Sequence, residues 1–531
     1  MSPHNRLAVP AAASVVLGFL GLFFAWPVAA IIGMGLHGNV GEVLAEASTW
    51  RLVAFTLGQA AASTAVALIA GVPLAYVLAR SLIPGRAVLR AVVTVPFVLP
   101  TIVVGMAFRA LFDVDSGAVL PIVLANAFFN VAVVARTVSG LWSHLDRRAE
   151  DAARSLGASK LRAFTSVTLP ALLPALGSAA AVVFLFCATS FGVVLVLGGG
   201  QYRTLETEIY LRTVQLLDLP GAAALSLLQL AAVVTALLAA SFARRRRETA
   251  LRLRSAAGTA RRPQGAQWLV VGAAGLVVCG LLAPIAGLLV RSVSTRDGWG
   301  LAGYRALLGT GQQGTLEVTG LEAGLNSVRT AVDATWMALL LGLLASFVLV
   351  AVRRRALAES LDVVLMVPLG VSAVTVGFGY LITLHLLPGD LRTSPLLVPF
   401  AQALVVTPLV IRMVLPVLRS IDDRLRQAAA TLGAGPWRVH REVDVPLAAR
   451  SVLGAAGFGF VVALGEFGAT SFLARPDAPT LPVAIGRLLG RPGELNTQMA
   501  YAACTLLMIV TVLAVVLVER LRIRTDAVEE F

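Results

Sequence analysis

Two stretches of this chain share one pattern: DRRAEDAARSLGASKLRAFTSVTLP from Asp146 to Pro170, and DDRLRQAAATLGAGPWRVHREVDVP from Asp422 to Pro446. The acidic start, the paired alanines, the glycine and the final proline recur at one constant offset, the difference between positions 422 and 146. Matched features at one fixed offset indicate an internal repeat. Because both stretches are charged and lie between long apolar runs, the pattern predicts two related halves with a polar loop in each.

Composition places the chain among polytopic membrane proteins. Of 531 residues, 58% are hydrophobic and 14% are charged, and the mean hydropathy is +0.85, outside the range of soluble domains. A helix needs about 20 apolar residues to cross the hydrocarbon core of a bilayer. About twelve runs meet this condition, near residues 11–33, 52–79, 92–112, 118–140, 173–197, 222–242, 267–290, 328–351, 362–386, 396–417, 452–473 and 498–518. The predicted fold class is therefore all-α, a polytopic membrane protein with about 12 transmembrane helices.

The repeat extends beyond the two loops. Ser190-Phe191-Gly192 and Glu466-Phe467-Gly468 are separated by the same offset as the loops, and VPFVLPTIVVG at residues 95–105 matches VPLGVSAVTVG at residues 367–377 with an offset smaller by four. Each half holds about six spans, and an even number returns the chain to the same side, so the halves are predicted to be parallel repeats. The predicted divisions are residues 1–243 for the first repeat, 244–266 for a basic linker and 267–531 for the second repeat.

The net charge is +14, and the distribution of the positive residues along the chain is typical of a membrane protein. With the N-terminus in the cytoplasm, most Lys and Arg residues fall in cytoplasmic segments, as the positive-inside rule requires. The densest cluster begins with Arg244 to Arg247 in the linker and is predicted to contact membrane lipid headgroups. Nucleic-acid binding is not expected, because no aromatic residues lie between the arginines. We therefore predict a multi-pass protein of the bacterial plasma (inner) membrane with both termini cytoplasmic.

Each repeated loop is predicted to fold as two short helices. Asp146 and Asp422 precede runs of helix-forming residues and can accept hydrogen bonds from the first free amides. Gly157 and Gly433 follow about three turns later, and glycine permits the left-handed conformation that ends many helices. A second amphipathic helix is expected next, with the proline that closes each pattern marking the start of the following span.

The paired alanines in each loop favour contact with another protein. Small side chains let a helix sit deeply in a groove of a partner. The alternative is an amphipathic helix that contacts only lipid headgroups. Two copies in register, each placed before the fifth span of its half, favour docking.

These loops resemble the cytoplasmic coupling loop of binding-protein-dependent ABC importer permeases, and the resemblance extends over nearly the whole chain. The family pattern is an EAA triplet, a glycine four positions after its last alanine and a terminal leucine-proline. The first loop has Asp151 in place of the glutamate, and the second has Gln427 there and Val445 in place of the leucine. The resemblance implies a type I importer permease fold. It also implies contacts with an ATPase by Glu150, Asp151, Ala152, Ala153, Gly157, Gln427, Ala428, Ala429 and Gly433.

The chain cannot carry the usual phosphate-binding loop of an ATPase. That loop needs the pattern G-x-x-x-x-G-K-[ST], whereas the only lysine, Lys160, follows Ser159. We therefore predict a non-catalytic subunit. The resemblance implies a cytoplasmic ABC ATPase dimer and an extracytoplasmic solute-binding protein as partners. The three cysteines lie far apart within apolar runs, so neither a metal site nor a bound cofactor is predicted.

A secondary transporter with six plus six helices is the alternative. Such a carrier uses acids or histidines within the membrane as ion sites. Glu466, deep in the predicted eleventh span, is the main candidate, whereas Asp333 and His385 fall near predicted span ends. A membrane scaffold or enzyme without transport is a third class, but the predicted extracytoplasmic loops show no catalytic cluster.

The solute is suggested only by resemblance. Among fused, double-length permeases, this chain looks most like the thiamine type, in LANAFFNVAVVAR (residues 124–136), SFGVVLVLGGG (190–200) and GEFGATSFLARPDAPTLPVAIGRLL (465–489). Ferric-iron permeases share most of this scaffold and come next. Polar and aromatic residues at matched or membrane-buried positions are predicted to line the solute path: Glu466, Phe191, Phe467, Asn126 and Asn130.

Overall fold

The structure is a computed structural model that describes residues 3–38, 40–112, 117–245, 260–295, 298–311, 314–352, 354–383, 386 and 394–527. Most of these residues are helical, and the predicted all-α class is confirmed. One short antiparallel hairpin pairs β1 (Ser294–Thr295) with β2 (Gly298–Trp299). Residues 246–259, which make up most of the predicted linker, lie outside the described residues, as does His385.

The helices are numbered in chain order. Those before the linker are α1 Pro3–Leu20, α2 Trp26–His37, α3 Val40–Ala45, α4 Ala47–Arg80, α5 Arg86–Val98, α6 Thr101–Phe112, α7 Val119–His144, α8 Arg147–Ser155, α9 Lys160–Ala163, α10 Leu169–Ala188, α11 Gly192–Leu197, α12 Leu205–Val214 and α13 Leu219–Arg245. Those after it are α14 Gln267–Val293, α15 Ala302–Ala306, α16 Gly320–Ala351, α17 Arg355–Met366, α18 Ala373–Thr383, α19 Leu397–Ser420, α20 Asp423–Thr431, α21 Pro436–Val439, α22 Val445–Leu464, α23 Thr470–Leu473, α24 Leu481–Leu489 and α25 Glu494–Ala527.

Within the described residues, 10 helices are long and apolar enough to cross a membrane, or up to 12 if each of two bent pairs is one span. The bent pairs are α5 with α6, at 104°, and α17 with α18, at 91°. The sequence predicts one unbroken span at each of these places. Pro100 explains the first bend, because proline lacks an amide hydrogen and forces the preceding residue out of helical geometry. Leu99 is accordingly extended, with ψ 138°, and Val371 is extended at the second bend.

Two other predicted spans, near residues 173–197 and 452–473, end early. The helix α10 stops at Ala188, and α22 stops at Leu464. A break of a few residues follows in each case, before the short helices α11 and α23. Glu466 therefore lies in the break after a span and not deep within one.

One compact unit contains Gly41–Glu208 and Leu228–Trp299. Its core is built from α4, α7 and α10, with α14 against α4 and α6. Buried side chains at this core include small residues such as Ala60, which bring the helix backbones close together, and larger ones such as Val134 and Leu172. Close approach through small residues is how helices pack where lipid removes the hydrophobic driving force.

The other compact unit contains Met1–Val40, Ile209–Leu227 and Gly300–Phe531. Its core is built from α16, α19 and α22, with α1 against α16 and α2 against α18. Leu20 and Tyr380 belong to its buried apolar cluster. The two units cut across the predicted sequence repeats, because each takes in helices from both halves of the chain. The division at residues 243 and 267 therefore stays a prediction about the sequence.

Corresponding helix pairs in the two units meet at a glycine. In one unit, a Cβ added at Gly71 on α4 would lie 2.6 Å from the side chain of Val134 on α7. In the other, a Cβ added at Gly342 on α16 would lie 2.5 Å from Val410 on α19. Val134 and Val410 are themselves matched at the offset that relates the two loops. Both halves thus use the same glycine-to-valine contact between their most closely packed spans.

We expect Gly71→Leu to destabilise the protein, because the new side chain must push α4 and α7 apart. Overpacking of this kind costs about 1–3 kcal/mol. Thermal unfolding in detergent should show the loss as a lower midpoint. Gly58→Leu on the same helix is the control, since a Cβ at Gly58 would have nothing within 4 Å. Equal midpoints for the two variants would contradict the close contact at Gly71.

Candidate functional site

Each repeated loop begins with a capped helix. The carboxylate of Asp146 accepts a hydrogen bond from the Arg148 amide at 3.0 Å, and Asp422 accepts one from the Arg424 amide at 2.9 Å. A side-chain oxygen at this position satisfies one of the four free amides that open a helix. The predicted helix starts at Asp146 and Asp422 are therefore confirmed.

Both loop helices end in the same left-handed turn. Gly157 has φ +89° and Gly433 has φ +86°. The residue after each glycine donates its amide hydrogen to the carbonyl of the second alanine in the pair, at 3.1 Å in the first loop and 3.0 Å in the second. This five-residue reach is the Schellman motif, which favours glycine at the left-handed position. The predicted helix ends are confirmed.

Pro170 and Pro446 lie in the first turn of the span helices α10 and α22, as predicted, but no break separates either loop from its span. The short helix α9 continues through a π-helical turn at Phe164–Thr168 directly into α10, so Pro170 lies within one helical segment. The second loop does the same through His440–Asp444. A proline lacks the amide that a regular helix would use, and a wider π-helical turn just before it accommodates the change. Each loop is thereby joined to its span by continuous helix.

The paired alanines do not share one face. Ala152 and Ala428 are exposed, whereas Ala153 and Ala429 are half-buried. Consecutive helix positions differ by about 100° around the axis, because a turn takes 3.6 residues. The exposed positions also include Asp151, Gln427, Gly157 and Gly433. The face turned away from the protein thus carries one alanine of each pair, and the other alanine lets the helix approach its own chain.

Two leucines are the most exposed apolar side chains among those that the structure describes in the loops, and the sequence prediction missed them. Leu156 is 90% exposed and Leu432 is 89% exposed. They precede Gly157 and Gly433, so they occupy matched positions in the two copies. A leucine directly before the glycine in both copies was the sequence signal that pointed to them.

The Glu150 side chain contacts the span that follows its own loop. Thr168, at the start of the span, donates a hydrogen bond to the Glu150 carboxylate at 3.3 Å. The matched positions in the second loop are Arg426 and Asp444, which form an ion pair at 2.9 Å. The same two positions therefore tie loop to span in both halves, with different chemistry.

A polar network surrounds Asn126 in the middle of α7. Its side-chain nitrogen donates to Gln59 at 2.9 Å, and Ser190 donates to its oxygen at 2.7 Å. One turn away, Asn130 donates to the Asn126 carbonyl at 2.9 Å. All four side chains are buried. The network links α4, α7 and the break after α10, as interhelical hydrogen bonds do in membrane proteins.

Glu466 stabilises the break in its own unit. Its carboxylate accepts hydrogen bonds from the amides of Ala469 at 2.8 Å and Thr470 at 3.0 Å, and from the Thr470 hydroxyl. Gln402, the counterpart of Asn126 in the second half, donates to the same hydroxyl at 3.4 Å. The acid caps the short helix α23, and only 8% of it is exposed.

Three further residues singled out in the sequence are Phe191, Phe467 and Asp333. Phe191 and Phe467 are buried, at 6% and 4% exposure, each in the break after its span. Asp333 lies well inside α16 and not near its end, and its carboxylate accepts a hydrogen bond from the Trp336 indole at 3.3 Å. The Trp336 indole thus gives the Asp333 carboxylate a hydrogen-bond partner on the same helix.

The matched loops agree with a comparison against known protein families. The model described as "binding-protein-dependent transport system inner membrane component" matches residues 71–248 and again residues 338–524. The chain belongs to this family. It is therefore an inner-membrane permease subunit of an ABC importer, non-catalytic itself and multi-pass, with the family unit present twice. The secondary-transporter alternative is set aside on this ground.

Individual relatives carry different solute names. The chain is 26% identical to the thiamine transport system permease protein ThiP of Brucella abortus, over 93% of this chain and 92% of that protein. It is 35% identical to the sulfate transport system permease protein CysT of Salmonella typhimurium over 30% of this chain and 64% of that protein. It is 36% identical to the molybdate/tungstate transport system permease protein WtpB of Thermococcus kodakarensis over 26% of this chain and 56% of that protein.

We expect Asp146→Ala to loosen the start of the first loop helix. Losing an N-cap costs roughly 1 kcal/mol, which corresponds to roughly fivefold faster amide exchange at the start of α8. Hydrogen exchange with mass spectrometry on the purified permease measures this. Asp146→Asn is the control, because asparagine caps about as well as aspartate. Faster exchange in both variants would mean that the charge of Asp146, and not its capping bond, holds the helix.

Proposed function

We propose that the two loops dock onto a cytoplasmic ABC ATPase dimer, one loop on each ATPase subunit. The observation that carries this proposal is the pair of exposed leucines, Leu156 and Leu432, held at matched positions by the same capped helix and the same left-handed glycine. A single exposed leucine is ordinary on a protein surface, so it is the recurrence of the leucine at the same position of both loops that we take to mark a contact site.

The geometry of each loop suits a helix-in-groove contact. The leucine lies at the end of the helix. The exposed residues before it include Ala152 and Asp151 in the first loop, and Ala428, Gln427 and a second leucine, Leu425 at 49% exposure, in the second. Burying one leucine contributes roughly 1.5–3 kcal/mol. Movement of the ATPase would then pass along the continuous helix from each loop into the span that follows.

We expect Leu156→Arg and Leu432→Arg to weaken ATPase binding by roughly 10- to 100-fold each, since burial of the leucine is lost and a charge takes its place. Co-purification of a tagged permease with its ATPase, followed by titration, measures the change. Leu308→Arg is the control, because Leu308 is also well exposed, at 69%, but lies outside both loops.

The outcomes separate docking from general damage. Loss of binding in the two loop variants with normal binding in the Leu308 variant supports the proposal. Unchanged binding in both loop variants would remove the loops from the ATPase interface. The permease's own helix content, checked by circular dichroism, should be the same in all three variants.

We also propose that the terminal segments and the linker are cytoplasmic, as the distribution of arginine indicates, and that the basic linker contacts lipid headgroups. A solute-binding protein would then act from the other side of the membrane.

For the solute, we propose a thiamine-like compound first and ferric iron second. The thiamine permease matches 93% of this chain, whereas the sulfate and molybdate/tungstate permeases match 30% and 26% of it. The test is to take the binding protein encoded beside the permease and measure its affinity for thiamine, ferric iron, sulfate and molybdate. Tight binding of either anion and of neither cation would contradict both assignments.

Glu466, Phe191, Phe467, Asn126 and Asn130 remain our candidates for the solute path. Glu466 is favoured for a cationic solute because it is an acid within a membrane segment. Its hydrogen bonds to α23 mean that any path role has to be separated from its structural role.

We expect Glu466→Gln to reduce solute uptake at least tenfold while ATPase binding stays normal, because the amide removes the negative charge that a cationic solute would meet. Uptake into proteoliposomes with the binding protein present measures this. Thr470→Val is the matched control, since it removes the hydroxyl that bonds to the carboxylate but leaves the charge in place. If both variants lose uptake equally, the loss is structural, and Glu466 is no longer a candidate for the solute path.

A further inference from the structure

Arg80, at the end of α4, reaches the start of the first loop. It is only 5% exposed, and its guanidinium donates a hydrogen bond to the Leu145 carbonyl at 2.9 Å. Leu145 directly follows α7 and precedes Asp146, which caps the loop helix. A buried carbonyl at a helix end needs a partner. Arg80 supplies it with a charged donor, which makes the bond stronger than one between neutral groups.

Aromatic rings pack at the same place. Tyr76, one turn before Arg80, meets Trp142 edge to face at 5.5 Å between ring centres. Trp142 in turn lies 6.1 Å from Phe164, which opens the π-helical turn leading out of the loop. The end of α4 therefore contacts the chain both where the loop begins and, through Trp142, where it ends.

The linker also forms backbone hydrogen bonds with the turn at Arg80. The Arg261 amide donates to the Arg80 carbonyl at 3.0 Å, and the Leu82 amide donates to the Arg261 carbonyl at 2.9 Å. Arg261 thus forms a parallel bridge with Ser81. Pro263, two residues later, is buried. The last part of the linker is in this way bonded to the turn that carries Arg80.

The second loop has none of these residues at the matched positions. In the register that matches Gly71 with Gly342, the counterparts of Tyr76 and Arg80 are Phe347 and Ala351. At the offset of the loops, the counterparts of Trp142 and Phe164 are Leu418 and His440. Only the first of the four positions keeps a phenylalanine, tyrosine or tryptophan ring, and the arginine is lost. Instead, Arg426 within the loop pairs with Asp444 at 2.9 Å and reaches the Leu418 carbonyl at 3.5 Å. The second loop is braced from inside, by its own ion pair.

We propose that Arg80 is a positioning residue for the first loop, held in place by the linker, and that the two loops are therefore unequal couplers. The consequence for coupling rests on the proposed function, whereas the bracing itself does not. Loss of the Arg261 bond to Arg80 acts on the first loop. High salt acts mainly on the second, because screening weakens a partly exposed ion pair more than a buried hydrogen bond.

The first measurement is hydrogen exchange of the full-length permease without ATPase, compared between residues 147–158 and residues 423–434. Arg80→Met should speed exchange in the first range about tenfold, as expected for a lost hydrogen bond to a charged donor, and leave the second range unchanged. Arg80→Lys should recover most of the protection, since lysine can still donate. Equal effects on both ranges, or no effect of Arg80→Met, would overturn the bracing.

The linker has its own matched pair of variants. Arg261→Pro removes the amide that bonds to Arg80, and it should loosen residues 147–158 in the same direction as Arg80→Met. Arg262→Pro places the same residue one position later, where the amide of Arg261 and its bond are kept, and it should behave like the wild type. Equal exchange rates in the two linker variants would show that the linker does not hold Arg80 in place.

The second measurement is ATPase affinity, which separates this inference from the proposed function. Arg80→Met should weaken binding about tenfold and Arg80→Lys should restore it. If Arg80→Met loosens the loop but leaves affinity and coupled uptake unchanged, Arg80 is not a positioning residue for coupling. If the wild-type permease binds no ATPase at all, the docking proposal fails and the exchange result still decides the bracing.

Discussion

A backbone amide or carbonyl inside a bilayer has no water to bind, so it must find its partner within the protein. That constraint accounts for most of this fold. The spans are long helices because a helix satisfies its own backbone, and the helix breaks occur only where other groups take over. Glu466 receives the free amides that begin α23, and the Asn126 network lies beside the corresponding break at residues 189–191.

The repeated loops obey a different rule, because they lie outside the apolar runs. Local groups shape them: an aspartate at the first turn, a glycine at the last, and bonds that each helix makes with its own neighbours. The two loops are consequently almost identical in shape although their sequences differ at most positions. What differs is how each is fixed to its half, through Arg80 and aromatic packing in one case and through the Arg426–Asp444 pair in the other.

The sequence predicted correctly those features that depend on residues close together in the chain. The loop helices begin and end where Asp146 and Gly157 predict, because capping depends on residues two to five positions apart. The bend at Leu99 and the early stop at Ala188 were missed, since apolar composition continues unchanged through both. Glu466 was correctly singled out as unusual but wrongly placed within a span, because hydropathy does not show which turn its carboxylate caps.

The sequence by itself determined the membrane class, the two repeats, the helix caps of the loops and the lack of a phosphate-binding loop, all of which depend on composition, spacing or local contacts. Only the tertiary structure decided which alanine of each pair faces outward, that Glu150 bonds to Thr168, and that Arg80 and the linker brace one loop and not the other. Arg80 and Leu145 are 65 residues apart in the chain. Contacts of that range depend on how the helices pack, and neither hydropathy nor periodicity carries that information.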